Sequence, residues 1–311
     1  MLVVKNIDLH NSPVEWWRFE QELPFELEDS FYWLLQNLEI FRFSFEHHPD
    51  NNSTQTLFIW LPVTEWGFKD RENLVQSFGS LAKTFKLTLP ECKISQVKDE
   101  DWSLSWKKSW KPDPIGKSIL ILPAWLDAPE NFLARKIIRL DPGSAFGTGS
   151  HPTTRLCIEA LDNDPPVEKI IADLGCGSGI LSFAALELGA KCSFAVDIDS
   201  LAISATKTNR DLNNLSKNHL KVFHGSIGEL EANIPEKKVD LMLCNILAPV
   251  IKSLGPDFEK IIKYNGKVIL SGLLVDQIKE LQEFFLPLGW EVLQIKTKDK
   301  WALMGLTLKL S

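Results

Sequence analysis

Ile170-Ile171-Ala172-Asp173-Leu174-Gly175-Cys176-Gly177-Ser178-Gly179-Ile180-Leu181 is the stretch from which the rest of the chain can be read. An apolar run of strand length meets three alternating glycines, then resumes as an apolar helix start. Glycine tolerates positive φ and lets a ligand approach the backbone closely, so this is strand, ligand-binding turn and helix. The dinucleotide fingerprint GxGxxG needs a third glycine where Ile180 stands, so a pyrophosphate is not the expected ligand. Outward from the turn, strand-like runs cover 170–174, 192–198, 220–224, 239–244, 267–271, 291–295 and 301–308. Helical stretches at 181–188, 201–212, 250–262 and 276–285 fall between them. Such alternation implies a mostly parallel sheet covered on both faces. The last two runs are joined only by 296–300, too short for a parallel crossover, so they form an antiparallel hairpin.

The first hundred residues follow another order. Val14 to Phe19 reads as a strand, and Pro24 opens a helix to Leu38. Residues 40–45 and 56–61 form two strands joined through the turn chemistry of Asp50 to Ser53. Helical spacing through Leu74, Phe78, Leu81 and Phe85 spans 68–85, and Lys93 to Val97 is a last strand. Strand, helix, strand, strand, helix, strand is the split βαβ order of a ferredoxin-like α+β domain. It carries no catalytic constellation, so its expected work is binding or positioning. The expected division is 1–98 for this domain, 99–115 for a helical linker and 116–311 for the α/β domain. The linker carries Trp102, Trp106 and Trp110 four apart, a stripe for packing against a neighbouring domain.

The composition of the 311 residues, 44% hydrophobic and 24% charged, is that of a globular protein. No apolar run reaches the length of a membrane span, and residues 1–8 lack the basic and apolar regions of a secretory signal. A net charge of −7 opposes loose binding to nucleic acid. Five cysteines without a CxxC pair and six histidines without an HxxxH pair argue for reduced thiols and no metal site, so a cytoplasmic protein is expected. His47 and His48 precede turn residues and read as part of an exposed turn. Eleven tryptophans against two tyrosines are unusual, and nine of them precede the glycine turn.

Three further segments face the same end of the sheet. Asp197 ends the second strand 22 positions after Gly175, where a carboxylate can accept ribose hydroxyls, while Asp199 reads as the N-cap of the next helix. Asn245 ends the fourth strand, ahead of Ile246-Leu247-Ala248-Pro249. Its amide offers one acceptor and two donors, although an Asn before a proline can also be a simple turn residue. Asp141-Pro142-Gly143-Ser144-Ala145-Phe146-Gly147-Thr148-Gly149-Ser150-His151-Pro152-Thr153-Thr154 is a second glycine-rich segment, suited to wrapping a ligand, with Phe146 able to cover an aromatic face.

GxGxG preceded by Asp173 resembles the S-adenosylmethionine turn of seven-strand methyltransferases. DPGSAFGTGSHPTT, DLGCGSGIL, DID and NILA, in that order and spacing, resemble the ribosomal protein L11 methyltransferase (PrmA) family. The resemblance is strong over about residues 100–311 and rests on pattern alone in the amino domain. It implies a seven-strand Rossmann-like α/β methyltransferase domain behind a ferredoxin-like recognition domain. It implies S-adenosylmethionine as cofactor, with contacts at Thr154, Gly175, Asp197 and Asn245. Gly177, Gly179 and Phe146 complete the expected cofactor site, and Asn245 with Thr154 the catalytic pair. The implied substrate is ribosomal protein L11, trimethylated on lysine ε-amines and its α-amine by a monomeric enzyme. Ser150 stands where the family often has Thr. The third strand ends His224-Gly225-Ser226-Ile227 without the acid that many methyltransferases place near adenine, leaving Phe223 and Ile227 as its packing neighbours. An RNA methyltransferase is the alternative, opposed by the acidic balance and by the lack of basic, aromatic strand motifs. An inactive binding module is opposed by the intact glycine loops and Asn245. A small-molecule enzyme is opposed by the extra domain.

Overall fold

The computed structural model describes residues 15–38, 40, 42–47, 54–98, 111–141, 151–234 and 238–309. The chain divides into two compact units, 1–110 and 111–311. The first holds β1 (Glu15–Pro24), α1 (Glu28–Asn37), β2 (Phe43–His47), β3 (Thr54–Pro62), α2 (Phe68–Thr84) and β4 (Lys93–Lys98). All pairings are antiparallel, in the order β2-β3-β1-β4. This is the ferredoxin-like arrangement, with β1 and β3 central. Alternate residues of the central strands, Phe19, Leu23, Leu57 and Ile59, pack with Phe31 and Leu35 of α1 and with Leu74 and Phe78 of α2. The two period-2 and period-3.6 patterns meet in one core. His47 lies within β2 rather than in a turn. His48 and the three-tryptophan stripe lie outside the described residues.

The second unit opens with a small sheet that periodicity did not reveal. β5 (Asp113–Ile115) pairs antiparallel with β6 (Ile119–Pro123), which pairs parallel with β7 (Lys136–Leu140). The connector therefore does not reach 115, because Asp113–Ile115 is already strand in this unit. Two bonds from Arg155 Nη1 to the Asp113 carboxylate, 2.8 and 2.6 Å, pin β5 to the helix that follows. These strands were hard to read because they are three to five residues long and wholly apolar where buried, which hides a strand period.

The main sheet follows. It comprises α3 (Pro152–Asn163), β8 (Ile170–Leu174), α4 (Ile180–Glu187), β9 (Cys192–Asp197), α5 (Ser200–Leu212), β10 (Leu220–His224), α6 (Ile227–Asn233), β11 (Val239–Asn245), α7 (Ala248–Leu254), β12 (Ile262–Leu274), α8 (Ile278–Phe285), β13 (Trp290–Lys298) and β14 (Trp301–Leu308). The strand order is β10-β9-β8-β11-β12-β14-β13. The five strands from β10 to β12 run parallel, and β14 lies antiparallel between β12 and β13. Alternating residues feed cores on both faces: Ala172, Leu174, Met242 and Cys244 on one, Ile171, Leu241 and Leu243 on the other. The helix read over 250–262 stops at Leu254. Gly255-Pro256 converts the chain to a 3₁₀ turn, since proline lacks the N–H that an α-helix needs, and β12 has begun by Ile262. Helix α6 was missed because it has only seven residues. Trp290, 3% exposed, packs edge-on to Phe258 and Phe285, so this tryptophan is core.

Candidate functional site

The parallel strands end together at their carboxyl side, where open α/β sheets bind ligands. Gly175, Gly177 and Gly179 follow β8 with φ of 75°, 54° and 84°. A Cβ on Gly175 would stand 2.5 Å from Ile246 Cγ2, and one on Gly179 2.8 Å from Thr206 Cγ2. Both positions therefore demand glycine twice over, for backbone conformation and for space.

Asp197 closes the next strand. Its Oδ2 accepts from Gly177 N–H at 2.9 Å and its Oδ1 from Asp199 N–H at 3.0 Å. The carboxylate is thus aimed by the glycine turn, and each oxygen keeps a lone pair for another donor. Asp199 caps α5, accepting from Leu201 N–H at 2.8 Å. Beyond Asp197, Ile198 is 77% exposed, and its carbonyl oxygen lies 2.9 Å from His224 Nε2. Phe223 and Ile227 pack with one core of the sheet, Phe223 only partly buried.

Asn245, at the end of β11, donates from Nδ2 to Thr154 Oγ1 at 3.4 Å. Residues 91 positions apart in the chain are thereby brought together. Thr154 is buried in the first turn of α3. His151 caps that helix, its Nδ1 2.7 Å from Thr153 Oγ1, and its ring meets Trp301 edge-on at 4.8 Å. Ser271 Oγ donates to Thr153 O at 3.2 Å and ties the same turn to β12. Gly272, φ 79°, lets β12 pass Asn245 and Ile246, because a Cβ there would lie 2.5 Å from Ile246 O. With Nδ2 engaged, the Asn245 carbonyl oxygen is the atom left to accept a proton donor. Phe146 lies outside the described residues.

A polar column on α5 escaped the sequence reading. Thr206 Oγ1 donates to Gly177 O at 2.7 Å, and Asn209 Nδ2 to Ser178 O at 3.0 Å. Asn209 Oδ1 accepts from Asp141 N–H at 2.9 Å, where the second glycine-rich segment begins. Asn213 exchanges bonds of 2.8 and 2.7 Å with Arg139 of β7. Thr206 and Asn209 are at most 1% exposed. The available signal was their spacing of three and four, which puts three polar residues on one helix face.

Asp173 lies under the glycine turn, 1% exposed. Its Oδ2 accepts from Ser182 N–H at 3.1 Å and Ser182 Oγ at 2.6 Å, while its Oδ1 has no hydrogen-bond partner among the described residues. Burial pushes its pKa up to about 6, against the Ser182 bonds and with help from the Asp197 charge. Two carboxylates and an unmatched oxygen form a negative pole that suits a cationic ligand and repels a phosphate. A sulfonium that also carries an ammonium and a ribose fits this donor and acceptor set. Three buried thiols feel the Asp173 charge. Burial raises Cys157 to about 12, and Cys176 and Cys244 are raised as well. Among the described residues no group of three His, Cys, Asp or Glu could hold a metal, and no helix is long and apolar enough to cross a membrane.

Residues 15–309 match the family of ribosomal protein L11 methyltransferases (PrmA). A ribosomal protein L11 methyltransferase of Prochlorococcus marinus strain MIT 9313 is 48% identical over 294 residues, 94% of this chain and 97% of that protein. One from Parasynechococcus marenigrum strain WH8102 is 50% identical over 281 residues, 90% of this chain and 97% of that protein. The crystal structure of a ribosomal protein L11 methylase from Lactobacillus delbrueckii subsp. bulgaricus superposes with a TM-score of 0.59 at 29% identity, covering 65% of this chain and 100% of that one.

Two outcomes follow from the geometry. An acid whose pKa is raised to about 6 in the fold costs stability as pH climbs from about 4 to 6, and the cost then levels off. A bound cation favours the carboxylate, so S-adenosylmethionine affinity should rise about tenfold between pH 5 and 7. Calorimetric titration of wild type and Asp173→Asn checks this, and the variant should show a flat profile. Asn209→Ala removes a buried donor and acceptor together and should cost about 1–3 kcal/mol for each backbone group left unpaired. Thermal melts should show the loss, and S-adenosylmethionine affinity should weaken with it.

Proposed function

The chain belongs to the ribosomal protein L11 methyltransferase (PrmA) family, and from that premise we propose that it transfers methyl groups to amines of ribosomal protein L11. The lysine ε-amines and the α-amine are the acceptors, each carried to the trimethyl state. S-adenosylmethionine, when bound, supplies an electrophilic methyl on a sulfonium, and the protein's own task is alignment. Gly175, Gly177 and Gly179 would hold it against backbone, Asp197 would accept its ribose hydroxyls, and Phe146 would cover it. The exposed side chain of Ile198 beside Asp197 supports an adenine at that position.

The pair Asn245–Thr154 is the observation that carries the reading. Thr154 holds the Asn245 amide by its NH₂ end, so the carbonyl oxygen can accept from a neutral amine and orient its lone pair. The nucleophile must first lose its proton. For a lysine of pKa ~10.4 that costs about 4.6 kcal/mol at pH 7, and for an α-amine near ~7.8 about 1 kcal/mol. Exclusion of water lowers an amine's pKa, so water can take the proton and no strong base is required. In the first two transfers the amine keeps an N–H, and its bond to the Asn245 oxygen strengthens as the nitrogen turns cationic; the dimethylated amine of the third transfer has no N–H and is aligned without that bond. Five unpaired thiols and a ribosomal substrate support a cytoplasmic enzyme.

The second reading, methylation of RNA, is separated by incubating the enzyme with labelled S-adenosylmethionine, purified L11 and ribosomal RNA. Label should appear in L11 at lysine and amino-terminal positions, and label in RNA alone would overturn the proposal. Asn245→Ala should lower kcat about ten- to a hundredfold at saturating S-adenosylmethionine, the worth of a ~1.5–3 kcal/mol hydrogen bond to a charged group. Rapid-quench turnover measurements check this, and near-normal turnover would remove the assigned role.

A further inference from the structure

Ser271 of β12 stands directly beside Asn245 of β11, its Cα partner in the parallel ladder. It is fully buried and follows the apolar run Val268-Ile269-Leu270. A hydroxyl in that setting costs free energy unless it is matched, and alanine would fill the strand position without that demand. The Ser271 proton goes to Thr153 O at 3.2 Å, and the next carbonyl, Ala302 O, is at 3.5 Å. Cys157, one turn further along α3, is a hydrogen-bond neighbour of the same hydroxyl.

The Thr153 carbonyl does not need this bond to be satisfied. It lies inside α3, where the N–H of residue 157 reaches it in the ordinary helical pattern. What the bond adds is position. Thr153 precedes Thr154, whose Oγ1 accepts from Asn245 Nδ2. The contacts close a ring: Asn245 to Ser271 across the ladder, Ser271 Oγ to Thr153 O, along the chain to Thr154, and from Thr154 Oγ1 back to Asn245. The last link is 3.4 Å, near the limit of a hydrogen bond, so a small drift of the first turn of α3 would release it. The Asn245 amide could then rotate, because its terminal torsion is soft. The His151 cap lies within the turn and moves with it, whereas Ser271 fixes the turn against the sheet.

We propose that Ser271 is a positioning residue, holding the first turn of α3 against β12 so that Thr154 keeps the Asn245 carbonyl oxygen turned toward the amine. The inference rests on the amine-methylating function proposed above, and it assigns Ser271 to particular steps. In each transfer the amine lone pair forms the new N–C bond while the C–S bond breaks and its electron pair stays with sulfur. In the first two transfers the resulting ammonium then gives an N–H proton to water. In the third, the dimethylated amine becomes a quaternary ammonium and releases no proton. Asn245 has no N–H to accept in that step. The orientation that Ser271 secures therefore matters to the first two transfers and not to the third.

The test compares full-length wild type, Ser271→Ala and Asn245→Ala, with enzyme in excess over unmethylated L11 and S-adenosylmethionine saturating. Rapid-quench mass spectrometry of L11 resolves the rates of the three successive transfers. Ser271→Ala should slow the first and second on the order of tenfold and leave the third unchanged, so that the dimethylated form becomes scarcer than with wild type. The dissociation constant for S-adenosylmethionine should stay the same. Equal slowing of all three transfers, with or without weaker S-adenosylmethionine binding, would mark a merely structural defect and overturn the inference. Unchanged rates in Ser271→Ala beside a selective loss in Asn245→Ala would overturn it too. If Asn245→Ala slows all three equally, the role of Asn245 falls and takes that of Ser271 with it. Failure of wild type to methylate L11, or to carry it to the trimethyl state, overturns the proposed function instead and is read in the same assay.

Discussion

A turn that wraps its backbone around a ligand must still satisfy the carbonyls that point the other way. In this protein the carbonyls of Gly177 and Ser178 face inward, where an unpaired peptide group costs about 1–3 kcal/mol. Helix α5 answers with Thr206 and Asn209, and Asn209 also holds the first peptide of the second glycine-rich segment. Because one helix supplies both bonds, the turn after β8 and the chain leaving β7 cannot shift independently. Asp197 adds a third tether from the end of β9 to Gly177 N–H. The precision of the crevice therefore comes from side chains behind it as much as from those that line it.

Much of this was legible in the chain itself. The parallel strands, the glycine turn, the terminal hairpin and the ferredoxin-like order all follow from patterns of period 2 and 3.6 with glycine and proline punctuation. Asp197 and Asn245 could be named because each ends a strand at the crevice, Thr154 was named through the family resemblance alone, and Asp199 could be separated from Asp197 by its cap position. What periodicity could not supply has physical reasons. Strands as short as Asp113–Ile115 carry less than two periods. Gly255-Pro256 ended a helix that apolar spacing alone would extend. The column on α5 is defined by which backbone groups it meets, and those partners lie about 30 to 70 positions away.

The amino-terminal unit shows a different economy. Its two central strands spend their edges on each other and on β2 and β4. Aromatic side chains account for much of its core and of its cation contacts, with Arg71 lying 3.6 Å over the Trp17 ring and Arg42 4.2 Å over Trp16. Trp16, Trp17, Trp60 and Trp66 of the first unit thus serve packing in a small domain, where a few large side chains must do what many aliphatic ones do in the second unit.

The buried cysteines carry one more meaning. A sulfonium methyl donor is an alkylating agent, and the softest nucleophile a protein can offer is a thiolate. Cys176 stands inside the glycine turn itself, with Cys157 and Cys244 close enough to Asp173 to feel its charge. At a pKa of about 12, only about one Cys157 in 10⁵ is ionised at neutral pH. The same burial and negative pole that suit a cation keep the thiols around Asp173 protonated. The enzyme can hold a reactive methyl group beside its own thiols without becoming its own substrate.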